Sequence, residues 1–76
     1  MNKVRRKRVE DVIQKIEELK AEVEEILDEE SEYRDNIPEN MQQSERYENA
    51  DNNCDNLQSA IDSIDEAVSY LEESQY

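Results

Sequence analysis

The chain has no glycine, histidine, tryptophan or phenylalanine, and only one proline and one cysteine among its 76 residues. Without glycine no residue takes a left-handed backbone freely, so glycine-rich phosphate loops and the sharp turn of a calcium-binding loop are not expected. Without histidine, and with no nucleophile beside an evident base, an enzyme is not expected. Nor is a cofactor or a transition-metal cluster. A lone cysteine forms no internal disulfide, which fits a reducing cytoplasm. No apolar run approaches the roughly 20 residues of a membrane span, and the basic amino terminus is not followed by the apolar segment of a secretory signal.

Positive charge is also missing over most of the chain. Neither lysine nor arginine occurs after Arg46. Five of the nine cations (Lys3, Arg5, Arg6, Lys7, Arg8) fall in the first eight residues, and from Val9 onward four cations face 22 acids. With a net charge of −13 and no continuous basic face, direct duplex nucleic-acid binding is not expected.

What is present is apolar period. Val9, Val12, Ile16, Leu19, Val23 and Ile26 alternate steps of three and four, as do Tyr47, Ala50, Cys54, Leu57, Ile61, Ile64, Val68 and Leu71. That spacing lines one seam of a helix. The sequence thus predicts an all-α fold: an antiparallel two-helix coiled-coil hairpin forming a single domain over 1–76. One helix is expected at about 3–33, a connector at about 34–43 and a second helix at about 44–73. Pro38 disfavours a helical Ile37 and can itself open a short helical turn. Ser44 suits an N-cap with Glu45 in the first turn. The Asn- and Asp-rich stretch from Asn49 to Asn56 is where bending or fraying is expected.

If residue numbers across the seam sum to 80, Val9 meets Leu71, Val12 meets Val68, Ile16 meets Ile64, Leu19 meets Ile61, Val23 meets Leu57, Ile26 meets Cys54 and Tyr33 meets Tyr47. The midpoint then lies in the proline-containing connector. Ile13, Leu27, Ala60 and Ala67 flank this seam and would stay wet in an isolated hairpin. A homo-oligomeric helical bundle, most simply a four-helix dimer, would cover them.

Three constellations bear on function. Lys3, Arg5, Arg6 and Arg8 are a candidate anion-binding site for a nucleotide or RNA phosphate; alternatively they offset Glu72 and Glu73, which antiparallel pairing brings to the same end. Either cluster alone opposes its helix dipole. Tyr33, Arg34, Asn36, Arg46 and Tyr47 could bind a partner or stack on a base, or simply close the hairpin end with the arginines pairing carboxylates. Glu24, Glu25, Asp28 and Glu29 belong to an acidic surface that could imitate a phosphate backbone or be a solvated helix face. Cys54 is expected to be a small buried filler.

The stretch EESEYRDNIPENMQQSERY (residues 29–47), followed by AIDSIDEAVSYLEE (residues 60–73), resembles small acidic helical proteins encoded by phages and mobile elements of Gram-positive bacteria. Its most specific part is DNIPEN, residues 35–40. The resemblance carries no activity and no functional residues; it implies a setting in which small proteins bind and inhibit host machinery, antiviral defence included. The function expected is a non-catalytic binding protein, a counter-defence inhibitor acting on a host protein with a basic surface. The alternatives are a homo-oligomeric sponge for a nucleotide immune signal, and a structural or assembly accessory protein of a phage. Its expected location is the cytoplasm of an infected or lysogenic bacterial host.

Overall fold

The computed structural model describes residues 1–76 as two antiparallel helices, α1 (Lys3–Asp35) and α2 (Glu45–Glu73), joined through a 3-10 turn at Glu39–Met41. The molecule is a rod of 59 × 15 × 11 Å. Its radius of gyration of 17.4 Å exceeds the ~11 Å of a compact domain of this length.

Local chemistry sets the ends. Asn2 caps α1 by accepting from the Arg5 amide at 2.8 Å, and Ser44 caps α2 by accepting from the Tyr47 amide at 3.3 Å. The Ser44 hydroxyl also donates to the Met41 carbonyl at 2.6 Å, locking α2 to the turn before it. Glu45 and Glu48 in the first turn of α2 complement its dipole, whereas the first turn of α1 has no acid. No residue has positive φ; with no glycine available, both helices end on right-handed caps, Asn36 and Ser74. Pro38 precedes the 3-10 turn, and its carbonyl accepts from the Met41 amide at 2.8 Å. The Asn-rich stretch of α2 holds its helix without a break.

The α2 seam has the expected composition: Ala50, Cys54, Ile61 and Val68 are buried, and Tyr47, Leu57, Ile64 and Leu71 half-buried. The α1 seam differs. Val9, Ile16 and Val23 turn toward α2, but with Ile13, Lys20, Leu27, Ser31 and Arg34 rather than with Val12, Leu19 and Ile26. Val12, Leu19 and Ile26 remain 43%, 57% and 50% exposed. Two heptad ladders share Val9, Ile16 and Val23, and the expected ladder avoided the polar side chains at 20, 31 and 34. The structure accommodates all three. Lys20 pairs with Asp65, Ser31 lies 3.5 Å from the Cys54 sulfur, and Arg34 pairs with Asp51 at 2.9 Å. The residue numbers of each of these pairs add to 85, whereas the pairs on the opposite face, Tyr33 with Arg46 and Glu30 with Asn53, add to 79 and 83, so the main departure from the expected seam is a rotation of α1 about its axis. With that side of α1 facing α2, Ile13 and Leu27 are half-buried, while Ala60 and Ala67 are exposed.

One core residue belongs to neither ladder. Ile37, held out of the helix by the following proline, is only 3% exposed and plugs the closed end.

The hairpin has two broad faces. On one, the interhelix pairs are ionic: Lys20 with Asp65, and Arg34 with Asp51. On the other, the Arg46 guanidinium donates to the Tyr33 hydroxyl and Asn53 donates to Glu30. Val12, Leu19, Ile26 and Tyr33 repeat at intervals of seven and run along this second face.

Candidate functional site

Three open clefts mark the surface, and all lie along the second face. At the open end a cleft of about 290 Å³ is lined by Met1, Arg5, Arg8, Val9, Val12 and Leu71. Arg5 and Arg8 are one turn apart on α1, so both guanidinium groups border an apolar floor supplied by both helices. The structure does not gather the whole basic cluster there. Arg6 donates to the Met1 carbonyl at 3.0 Å, Lys7 pairs with Asp11 at 3.0 Å, and Lys3 is exposed outside the cleft. The hydrogen bond to Asp11 and its charge raise the Lys7 pKa. Glu72 and Glu73, the suggested charge partners, form no ion pair with the cluster; the Met1 nitrogen instead donates to the main-chain oxygen of Tyr76 at 2.7 Å.

The closed end divides its five candidate residues. Tyr33 and Arg46 face the second broad face, joined by a 2.6 Å hydrogen bond with the guanidinium carbon 5.2 Å from the ring centroid. With Glu30, Ser44, Glu45 and Asn49 they border a cleft of about 600 Å³. Arg34 points to the opposite face, bridging Asp35 at 3.1 Å and Asp51 at 2.9 Å. Those hydrogen bonds, Asp35 first and Asp51 second, hold the Arg34 pKa above its ordinary value. Asn36 serves α1 as its C-cap, and Tyr47 sits half-buried in the α2 seam. Arg34 and Tyr47 are thus placed as the closing role requires, and only Tyr33 and Arg46 border open space.

The acidic candidates are all exposed. At 100° per residue Glu24, Asp28 and Glu25 cover a band of about 100° on the outer side of α1. Glu29 lies further round, beside Ile26 and Tyr33 in the third cleft. The acidic band continues onto α2 through Asp51, Asp65 and Glu72. Lys20 and Arg34, which lie within it, are already paired, and Arg6 and Lys7, five turns before Glu24 and Glu25 on the same side of α1, bound it at the open end. The Lys20 pKa is raised, chiefly by its hydrogen bond to Asp65.

No group of three metal-ligating side chains is placed to hold an ion, and no helix is long and apolar enough to cross a membrane. Sequence reasoning missed the apolar stripe of the second face, because Val12, Leu19 and Ile26 were assigned to the seam. Their spacing of seven was the available signal. It distinguishes a single line of residues from the alternating threes and fours of a helix–helix seam. No known protein family, curated protein or solved structure matches the chain.

Proposed function

We propose that the chain is a non-catalytic binding protein that lays its acidic band against a basic surface of a host protein, as a counter-defence inhibitor of phage or mobile-element origin. The observation that carries this reading is the sorting of charge. From the basic open end to the closed end, acids of both helices run together along one broad face and the back of α1, and Lys20 and Arg34 embedded among them are internally neutralised. A surface band of one sign steers and orients a partner of the opposite sign, and its binding weakens as salt rises. Action in the cytoplasm of a bacterial host belongs to the same proposal.

The test is charge reversal on the exposed band. Glu24, Glu25 and Asp28 are changed together to lysine, and Glu29, which lies toward the other face, is left alone. Wild-type protein should capture a basic host protein in a salt-sensitive manner and relieve defence when expressed in the host. The triple variant should remain helical and lose both by at least about tenfold. Capture and relief unchanged by the reversal would refute the reading.

A second reading, a sponge for a nucleotide signal, draws on the Arg5–Arg8 cleft, where two guanidinium groups border an apolar floor. Native mass spectrometry should then find a nucleotide retained by the protein from its host. The ligand should be lost on Arg5→Ala with Arg8→Ala but kept on Arg6→Ala, because Arg6 is engaged by the Met1 carbonyl.

A further inference from the structure

The geometry points to the second broad face as a docking surface for another copy of this chain, packed face to face with α1 antiparallel to the partner's α1. This goes beyond the binding reading above and uses the opposite side of the hairpin, so either can fail alone.

Four large side chains, Val12, Leu19, Ile26 and Tyr33, stand in one line on this face, each between 43% and 57% exposed. The neighbouring stripe of α2 is Asn56, Ala60, Ser63, Ala67 and Tyr70, all exposed. Continued toward the closed end through Asn53 and Asn49, that α2 stripe holds none of the 22 acids of the chain, and its one charged residue, Arg46, is bonded to Tyr33. A solvated helix face in a chain of this acidity has no reason to be free of acids, whereas an interface core is depleted of charge.

Charge selects the partner and its direction. Beside the apolar line α1 carries Arg8, Lys15, Glu22 and Glu29, two cations followed by two acids at the same spacing of seven. Antiparallel packing about a two-fold axis at Leu19 puts Leu19 against the partner's Leu19 and Val12 against the partner's Ile26. Arg8 then faces the partner's Glu29, and Lys15 faces the partner's Glu22. Arg5 reaches the partner's Tyr33. A parallel arrangement sets each of these charges against its like. Sliding by one heptad brings Glu22 against the partner's Glu22 and leaves Arg8 without a carboxylate. On this face the interhelix pairs Tyr33–Arg46 and Glu30–Asn53 add to 79 and 83, so the same axis crosses α2 between Ala60 and Ile64.

The area suits a second copy. A face of 59 × 15 Å offers on the order of 900 Å², against the ~800 Å² per partner of a stable interface. The isolated chain exposes 5922 Å², whereas a compact monomer of its mass exposes about 4,900 Å². Docking removes an excess of that order. The partner's Tyr33 and Glu29 also come to rest over the Arg5–Arg8 cleft.

Sedimentation of the full chain near physiological salt, where net repulsion is screened beyond about 8 Å, should give a species of twice the 9.0 kDa chain mass. Leu19→Glu should yield a monomer that keeps its helical circular dichroism, since Leu19 makes no part of the hairpin seam. Should that variant unfold, the charge pair decides. Lys15→Glu should weaken the dimer by at least about tenfold, and adding Glu22→Lys should restore it. In a Cys54→Ala background, Leu19→Cys should cross-link to itself on mild oxidation. Val12→Cys and Ile26→Cys should cross-link to each other and not to themselves. A monomeric wild-type chain, an assembly indifferent to both Leu19→Glu and Lys15→Glu, or cross-linking of Val12→Cys to itself overturns the proposal.

Discussion

The two broad faces of the hairpin are cut from the same two helices and share one seam, yet they divide the chemistry of the chain between them. On one, charged side chains cross from α1 to α2 and neutralise Lys20 and Arg34. On the other, apolar side chains line α1, and small or neutral ones line α2 up to Arg46, which is bonded to Tyr33. The difference teaches how to read a short amphipathic helix. A helix that needs only one partner carries one apolar stripe. α1 carries two, one turned to α2 and one turned outward, while α2 carries one deep stripe and a neutral flank. None of the α1 residues is fully buried, against four in α2. The asymmetry marks α1 as the helix with a second surface to cover.

The largest expected effect sets the two kinds of apolar position against each other. Ile61 is 6% exposed in the seam, and Ile26 is half-exposed on the outer line. Ile61→Asp buries a carboxylate with no cation beside it, at a cost of several kcal/mol, and should abolish the helical circular dichroism of the chain. Ile26→Asp places its charge at a hydrated position and should leave the isolated hairpin folded. Equal loss of helix in both variants would erase the distinction between seam and outer line.

A smaller effect separates the two helix starts. Ser44→Ala removes the cap of α2 and also its bond to Met41, and should cost about 1 kcal/mol, or a fall of roughly 4–8 °C in Tm. Asn2→Ala removes a comparable cap from the outermost turn of α1, where fraying stays local. It should lower Tm less and accelerate hydrogen exchange mainly at the Arg5 amide. A larger Tm loss from Asn2→Ala than from Ser44→Ala would overturn this ranking.

Most of the fold was legible because period and punctuation agree. The heptads of α2, the Ser44 cap and the break at Pro38 each rest on a local rule, and each stands in the structure. The inward face of α1 was not legible, for a definite reason. Val9, Ile16 and Val23 belong to two ladders at once, and apolarity alone favours the ladder holding Val12, Leu19 and Ile26. The ladder adopted puts Lys20, Ser31 and Arg34 inward, and whether that is tolerable depends on Asp65, Cys54 and Asp51, which lie far along the chain. Ile37 escaped notice because an isolated apolar residue in a polar connector has no period to betray it. At the candidate sites, sequence proximity suggested clusters that helical geometry takes apart. Tyr33 and Arg34 are adjacent in the chain but about 100° apart on the helix, and they serve opposite faces.

Lys20 gives the finest test of that account. Its ammonium occupies a position that a uniform seam would fill with leucine, and it is retained by snorkelling to Asp65 along a mostly covered stem. The hydrogen bond to Asp65 raises its pKa above the ordinary 10.5. Because the folded-state value is the higher, the stabilisation is complete below pH 10.5 and is lost as pH rises through the folded value. Lys20→Leu removes the titrating group, extends the apolar seam and frees Asp65, which is half-exposed, to hydrate. Exchange of a paired charge for a packed apolar side chain is commonly neutral or favourable. The variant should therefore melt no lower than the wild type at neutral pH, and its Tm should lack the fall that Lys20 contributes above pH 10.5. A lower neutral Tm with the alkaline fall intact would mean that the pair with Asp65, rather than the apolar period, sets the register of the two helices.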